Sequence, residues 1–241
     1  MKELLLIIFL AFSNLILAGH PLKTNDALTI GKKNIQIELI SEYCLQNNCA
    51  SMDFPFILTV GFAGNLDFVI EFPNVTNKTS SWDMKDISAG IKYIPLSNNR
   101  LNWGITANIT FPNGNWSKGF GSGFYNYNIG LIASSINENF TLHSNAGLER
   151  NKNLLDENEL LWYFSLAAEY NLSEKLGIAG DIGINRSGDS SIKKFFENEA
   201  YIILGLTYSL NENIVLDAGL NKGLTKANND IGLLFGTTIS I

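Results

Sequence analysis

Sulfur, imidazole and long apolar runs are all scarce in this chain. It has 2 cysteines and 2 histidines. After Leu17 no apolar stretch is long enough to cross a bilayer as a helix. Cations are outnumbered, with 17 Lys and Arg against 23 Asp and Glu and a net charge of -6. That balance excludes a nucleic-acid partner, because phosphate binding needs clustered Lys and Arg. No Gly-rich phosphate loop, His/Cys cluster or haem-type Cys-x-x-Cys-His run is present, so neither a cofactor nor a metal is expected. Cys44 and Cys49 stand close together in a polar stretch, where an oxidising compartment would let them close a small disulfide loop. No nearby ligand completes a zinc site around them.

The first residues point to such a compartment. Met1 and Lys2 precede an apolar run from Leu4 to Leu17, and Ala18-Gly19 then offers a cleavage site before Pro21. This reads as a secretory signal peptide over residues 1–18. A periplasmic lead-in over 19–33 and one further unit over 34–241 are expected to follow.

What the remainder does have is alternation. In 101–111, Leu101, Trp103, Ile105, Ala107, Ile109 and Phe111 share one face, and Asn102, Gly104, Thr106, Asn108 and Thr110 share the other. A period of two is that of a strand with one apolar side. Segments with this split are 34–43, 54–62, 65–73, 84–95, 100–111, 124–135, 140–150, 159–171, 176–186, 199–210, 214–224 and 230–241. Connections after even-numbered segments are short and rich in Asn, Gly or Ser, as tight hairpins need. Most connections after odd-numbered segments are longer: 44–53, 74–83, 112–123, 151–158 and 187–198. That asymmetry, the even number of strands and the aromatics near strand ends favour an all-β fold. The expectation is an antiparallel transmembrane β-barrel of about 12 strands in a Gram-negative outer membrane, with both termini on the periplasmic side.

If the apolar face meets lipid, the other face lines the lumen. That face carries Glu38, Glu42, Asp67, Glu71, Asp86, Lys92, Glu149, Glu169, Asp181 and Asp217. Carboxylates predominate, so the lumen should favour cations unless the charges pair internally, for example Lys92 with Asp67 or Glu71. Barrels of about 8 strands are filled and those of about 16 leave an aqueous channel, so a narrow, partly occluded passage is expected.

Several stretches resemble one known family, the outer-membrane transporter-like barrels named after the meta-cleavage pathway of phenol degradation. They are Pro21-Leu22-Lys23-Thr24-Asn25-Asp26-Ala27, Gly31 to Leu39, Gly90-Ile91-Lys92-Tyr93, Phe111-Pro112-Asn113-Gly114 with Gly119 to Gly123, and Leu216 to Leu220 with Gly223 to Lys226 and Asp230. The resemblance implies passage of small, hydrophobic or aromatic compounds, with membrane lipids and the barrel-assembly machinery as partners. Ile241 departs from the terminal aromatic usual in such barrels.

Two rivals remain. The run His143-Ser144-Asn145 invites comparison with a lipid-hydrolysing barrel, but neighbouring strand residues face opposite ways, so His143 and Ser144 cannot pair as base and nucleophile. No enzyme is expected. A non-conducting structural or adhesive barrel would act through its loops, where Trp116, Phe195 and Phe196 lie.

Overall fold

A computed structural model describes residues 19–46, 49–76, 82–98, 100–118, 120–154, 157–228 and 230–241. The proposed signal peptide, 1–18, lies outside the described residues. Among the described residues no helix is long and apolar enough to cross a membrane. The chain is instead a meander of antiparallel strands. In order they are β1 (Ile35–Gln46), β2 (Cys49–Ala63), β3 (Leu66–Thr76), β4 (Trp82–Met84), β5 (Ser88–Ser97), β6 (Leu101–Thr110), β7 (Asn126–Ile136), β8 (Phe140–Arg150), β9 (Leu160–Asn171), β10 (Leu176–Asn185), β11 (Glu199–Asn211), β12 (Ile214–Gly223) and β13 (Ile231–Ser240).

Consecutive strands pair except β4 with β5, and β1 pairs with β13, which closes the sheet. Closure leaves no edge with unpaired backbone groups, the condition for strands in lipid. The short β4 and the longer β5 both pair with β3, so together they make one interrupted strand and the barrel has twelve staves.

The expected faces are the observed ones. Leu131 (59% exposed), Leu204 (62%) and Leu220 (57%) stand outward among many large apolar side chains. Gln36, Thr59, Asp67, Asn102, His143, Asn145, Asp181 and Asp217 are buried inside. One rim carries tight turns and both ends of the barrel sequence; the other carries the longer loops. They are called the turn rim and the loop rim below.

Three local expectations change. The long loop expected at 44–53 is absent, because β1 and β2 continue to Gln46 and Cys49. The register sets Cys44 opposite Ser51 and Cys49 opposite Gln46, and Cys44 is a free thiol. Cys44 and Cys49 are thus diagonal neighbours across the β1–β2 pair.

Asp86 is not a lumen-lining strand residue. It sits in the break between β4 and β5, where its carboxylate accepts hydrogen bonds from the backbone N–H groups of Gly114 and Ser122, each at 2.7 Å. The Ser122 hydroxyl donates to it as well, at 2.8 Å. It therefore clamps the 111–125 loop over the loop rim.

The largest change concerns 19–33. A periplasmic lead-in was expected; the segment instead runs inside the barrel. Six of its backbone N–H groups, those of Lys23, Thr24, Asn25, Ala27, Ile30 and Lys33, find acceptors on the wall, which a polar segment without regular structure would otherwise seek in water.

Candidate functional site

The lumen is crossed by the segment 19–33, and each contact comes from an inward position fixed by the two-residue period. Near the turn rim, His20 Nδ1 meets the Asp217 carboxylate of β12. Pro21 is fully buried against Gly205 of β11 and Gly219 of β12. Towards mid-lumen, Asp181 of β10 accepts from the N–H of Lys23 at 2.7 Å and of Thr24 at 2.8 Å. The Thr24 hydroxyl donates to the same carboxylate at 2.8 Å and accepts from Ser165 of β9 at 2.7 Å. Asn145 of β8 pairs with the peptide group of Asn25 in both directions, at 2.7 and 2.8 Å.

The segment then descends. Asp26 meets Lys92 of β5 at 2.9 Å. Ala27 is wholly buried beside Ile94 of β5 and Ile132 of β7, and its N–H donates to the Ser134 hydroxyl of β7 at 2.7 Å. Ile30 donates to Asp67 of β3 at 3.1 Å. Gly31, at φ +85°, makes the turn that leads out to β1, a conformation glycine takes without steric cost. Lys33 N–H then binds the Gly61 carbonyl of β2 at 2.7 Å.

The contacts therefore span the wall from β2 to β12. They run mostly from wall side chains to the backbone or side chains of single segment residues, with no strand pairing. Each such bond contributes about 1 kcal/mol, more where the acceptor is a carboxylate. The seal is firm in sum but composed of parts that can part separately.

Glycines shape the wall to receive it. A Cβ on Gly61 would fall inside the Gly31 carbonyl group, and one on Gly219 would lie 2.9 Å from the Pro21 Cβ. Gly205 faces Pro21 just as closely and sits in a strand that any residue could occupy. Gly205→Val should therefore leave the barrel intact and dislodge Pro21. Tryptic cleavage after Lys23 would then speed up in the folded protein, and an unchanged cleavage rate would contradict the seating of Pro21.

The expected lumen carboxylates divide into two groups. Asp67, Asp181 and Asp217 are acceptors for the inserted segment. Glu169 stands 3.9 Å from His143 Nε2. Lys92, the alternative partner for Asp67 or Glu71, is opposite Asp67 in register but its ion pair is with Asp26. The second group, Glu42, Glu71 and Glu149, lies on inward faces, and among the described residues of the segment none hydrogen bonds to them. Glu38 faces inward near the start of β1. Below the seal, a cavity of about 800 Å³ opens at the turn rim, lined by His20, Asn34, Gln36, Thr207 and Ser209 among others.

Sequence reasoning missed Ser134. Its hydroxyl lies 2.7 Å from His143 Nδ1, and with Glu169 on the far side of the ring the three form a Ser-His-Glu row. Its Ser134 and His143 are closed off from solvent. The Ser134 oxygen already accepts the Ala27 N–H and is 1% exposed. The row fixes an acceptor under the segment. Only the cross-strand register, Ser134 opposite His143, brings the pair together, and no local signal gives that register.

At the loop rim, Asp189 is held below the usual carboxylate range by the hydroxyl and then the backbone N–H of Ser191. The 3-10 turn at Phe195–Glu197 lays Phe195 flat on outward-facing Trp162.

A family model described as "Putative MetA-pathway of phenol degradation" matches residues 47–241. No curated protein matches the chain. Among solved structures, an outer membrane channel from Pseudomonas putida F1 is similar at a TM-score of 0.68 and 12% identity, covering 90% of this chain and 98% of that one. The NanC porin follows at 0.63 and 10% identity, covering 84% and 98%, and the KdgM porin at 0.62 and 9%, covering 85% and 99%. At these identities the likeness bears on fold. The neighbours are channels and porins, and none of the three is described as an enzyme.

Proposed function

From the premise that this chain belongs to the family described by the MetA pathway of phenol degradation, we propose that it is a Gram-negative outer-membrane channel for small compounds, closed at rest by its own segment 19–33. One observation carries this reading. The barrel wall is continuous and apolar outside, while its polar lumen is blocked by a piece of chain held through separable side-chain contacts. A permanent filling would be built from interlocked side chains of the wall itself, as in narrow barrels. A seal of hydrogen bonds can be exchanged for water one bond at a time.

In this reading residues 1–18 direct export, the barrel-assembly machinery inserts the chain, and the loop rim faces the outside. Solutes enter from the loop rim past Glu42, Glu71 and Glu149. The family description points to phenol-derived compounds as cargo, and the polar lining suits their hydroxyl groups.

Conductance in a planar bilayer tests the electrostatic part. With Glu42, Glu71 and Glu149 all changed to Gln, cation preference should fall towards that of bulk solution while unit conductance changes little. Fixed charges at a narrow entrance set local ion concentration, which is what selectivity reads. A cation preference that survives the triple change would place the selective charges elsewhere. The same blocked lumen favours a second reading, a non-conducting barrel acting through its loops. Silence at every voltage, even after the segment is removed, would select it.

A further inference from the structure

Charge on the outer wall is distributed in an unexpected way. Along the outward faces of all thirteen strands, the described positions are apolar or neutral except for two, Arg150 and Lys222. Arg186 continues the outward face of β10 by one residue, since its N–H binds the Trp162 carbonyl. All three are cations. All three are at the loop rim, and all lie on one arc from β8 to β12. No carboxylate occupies an outward strand position among the described residues. In a chain with a net charge of -6 this one-signed arc is not a reflection of composition.

The two guanidinium groups are held in place but not neutralised. Arg150 donates to the Tyr125 carbonyl at 3.2 Å and lies 5.9 Å over the Tyr127 ring. Arg186 donates to the Leu160 carbonyl at 2.9 Å and to the Asn158 side chain at 3.0 Å. Among the described residues neither is in an ion pair. Each guanidinium has five N–H donors, so several remain free and fixed in direction. Arg150 is opposite Leu160 and Arg186 is bonded at Trp162, so a single strand separates them, about 10 Å between backbones.

Aromatic surface accompanies this pair. Trp162 and Phe195 stack at 5.2 Å and 7°, and Phe196 meets Phe195 edge-on and is 85% exposed. Rings of this kind settle at the boundary between headgroups and acyl chains. A phosphate held bidentately by arginine, next to aromatic rings at that depth, is the chemistry of an anionic lipid headgroup.

We propose that this arc is a docking site for a phosphate-bearing lipid of the leaflet at the loop rim. Arg150 and Arg186 bind headgroup phosphate, and Trp162, Phe195 and Phe196 lie along the start of its acyl chains. The inference rests on the barrel spanning a bilayer and not on what the lumen conducts, so conductance results leave it standing or falling on its own.

Native mass spectrometry of the full barrel in neutral detergent tests it, with a diphosphorylated glycolipid, the same lipid without phosphates and phosphatidylcholine as probes. The intact protein should retain the phosphorylated lipid above both others. Arg150→Gln with Arg186→Gln should lower that retention by about tenfold or more, as loss of two bidentate contacts implies. Arg150→Lys with Arg186→Lys should keep part of it, and Arg100→Gln in a turn at the opposite rim should keep all. Heat-shifted migration on a gel confirms that each variant remains a folded barrel. Equal retention of the dephosphorylated lipid, or undiminished retention by the double Gln variant, would overturn the proposal. Displacement of the lipid by an equal concentration of inorganic phosphate would also overturn it, by showing a free-anion site.

Discussion

A chain lacking residues 20–30 is expected to pass several times more current per channel than the intact protein. The reason is geometric. The segment crosses the lumen at the height of Asp181, Ser165 and Asn145, and its side chains and backbone occupy the space those groups enclose. Taking it away exposes an inner wall of Asp, Asn, Ser and Thr, which water wets readily. Glycines at 205 and 219, now covered by Pro21, would add width. The barrel should survive, since closure depends on the β1–β13 pairing and not on the segment. Planar-bilayer recording of both proteins at equal salt decides the matter. Unaltered unit conductance would mean that a second constriction, such as the loop clamped by Asp86, governs the pore.

The second large effect is expected from one carboxylate. Asp181 is 3% exposed and accepts from two backbone N–H groups and a hydroxyl of the segment. Asp181→Ala leaves those donors in a space where no other strong acceptor is at hand. Hydrogen bonds to a charged group are worth about 1.5–3 kcal/mol each and do not add fully, so docking should weaken by about 3–5 kcal/mol. A shift of about 5.5 kcal/mol takes a two-state equilibrium from one part in a hundred to its reverse, so the open fraction should rise steeply. Amide exchange at Lys23 and Thr24 should accelerate, and recordings should show frequent openings of the intact chain. Asp181→Asn retains one acceptor oxygen and should fall between. If exchange at Thr24 is as slow in the Ala variant as in the intact protein, Asp181 does not hold the seal. Melting of the barrel itself should move little, because the only bond the Asp181 side chain makes to the wall among the described residues is a long one, 3.5 Å, from the Tyr201 hydroxyl of β11.

Most of the barrel was legible from alternation alone. The apolar face of 101–111 or 160–172 is read directly from a period of two, and the observed inner and outer faces follow it. Turn residues gave the hairpins and the two unlike rims. The site was less legible. Asp181 and Asp217 are where the period puts them, but what they bind is not a neighbour in sequence; the Asp181–Thr24 contact spans 157 residues. Thr24-Asn25-Asp26 has the composition of a solvated loop, because its groups are satisfied by the wall as they would be by water. The wall's matching groups lie on many strands, aligned only by register. The family-like opening at Pro21 to Ala27 marked the segment as distinctive without showing where it goes. Asp86 was misplaced for a related reason. Alternation holds from Asp86 to Tyr93, with Asp86 on the polar face, and the break at 85–87 is stabilised by donors from a loop two strands on.

The attachment of the segment to the first stave also orders the molecule in time. The contact between His20 and Asp217 spans 197 residues, so the earliest part of the chain waits for nearly the latest. Closing so long a loop is entropically costly until the staves between are in place. The segment can find its bed only once the meander has come round and β13 has met β1. During assembly it must therefore remain outside or lie loose in an unclosed sheet. Its docking is the last event of maturation, and a half-built ring has no means of sealing itself.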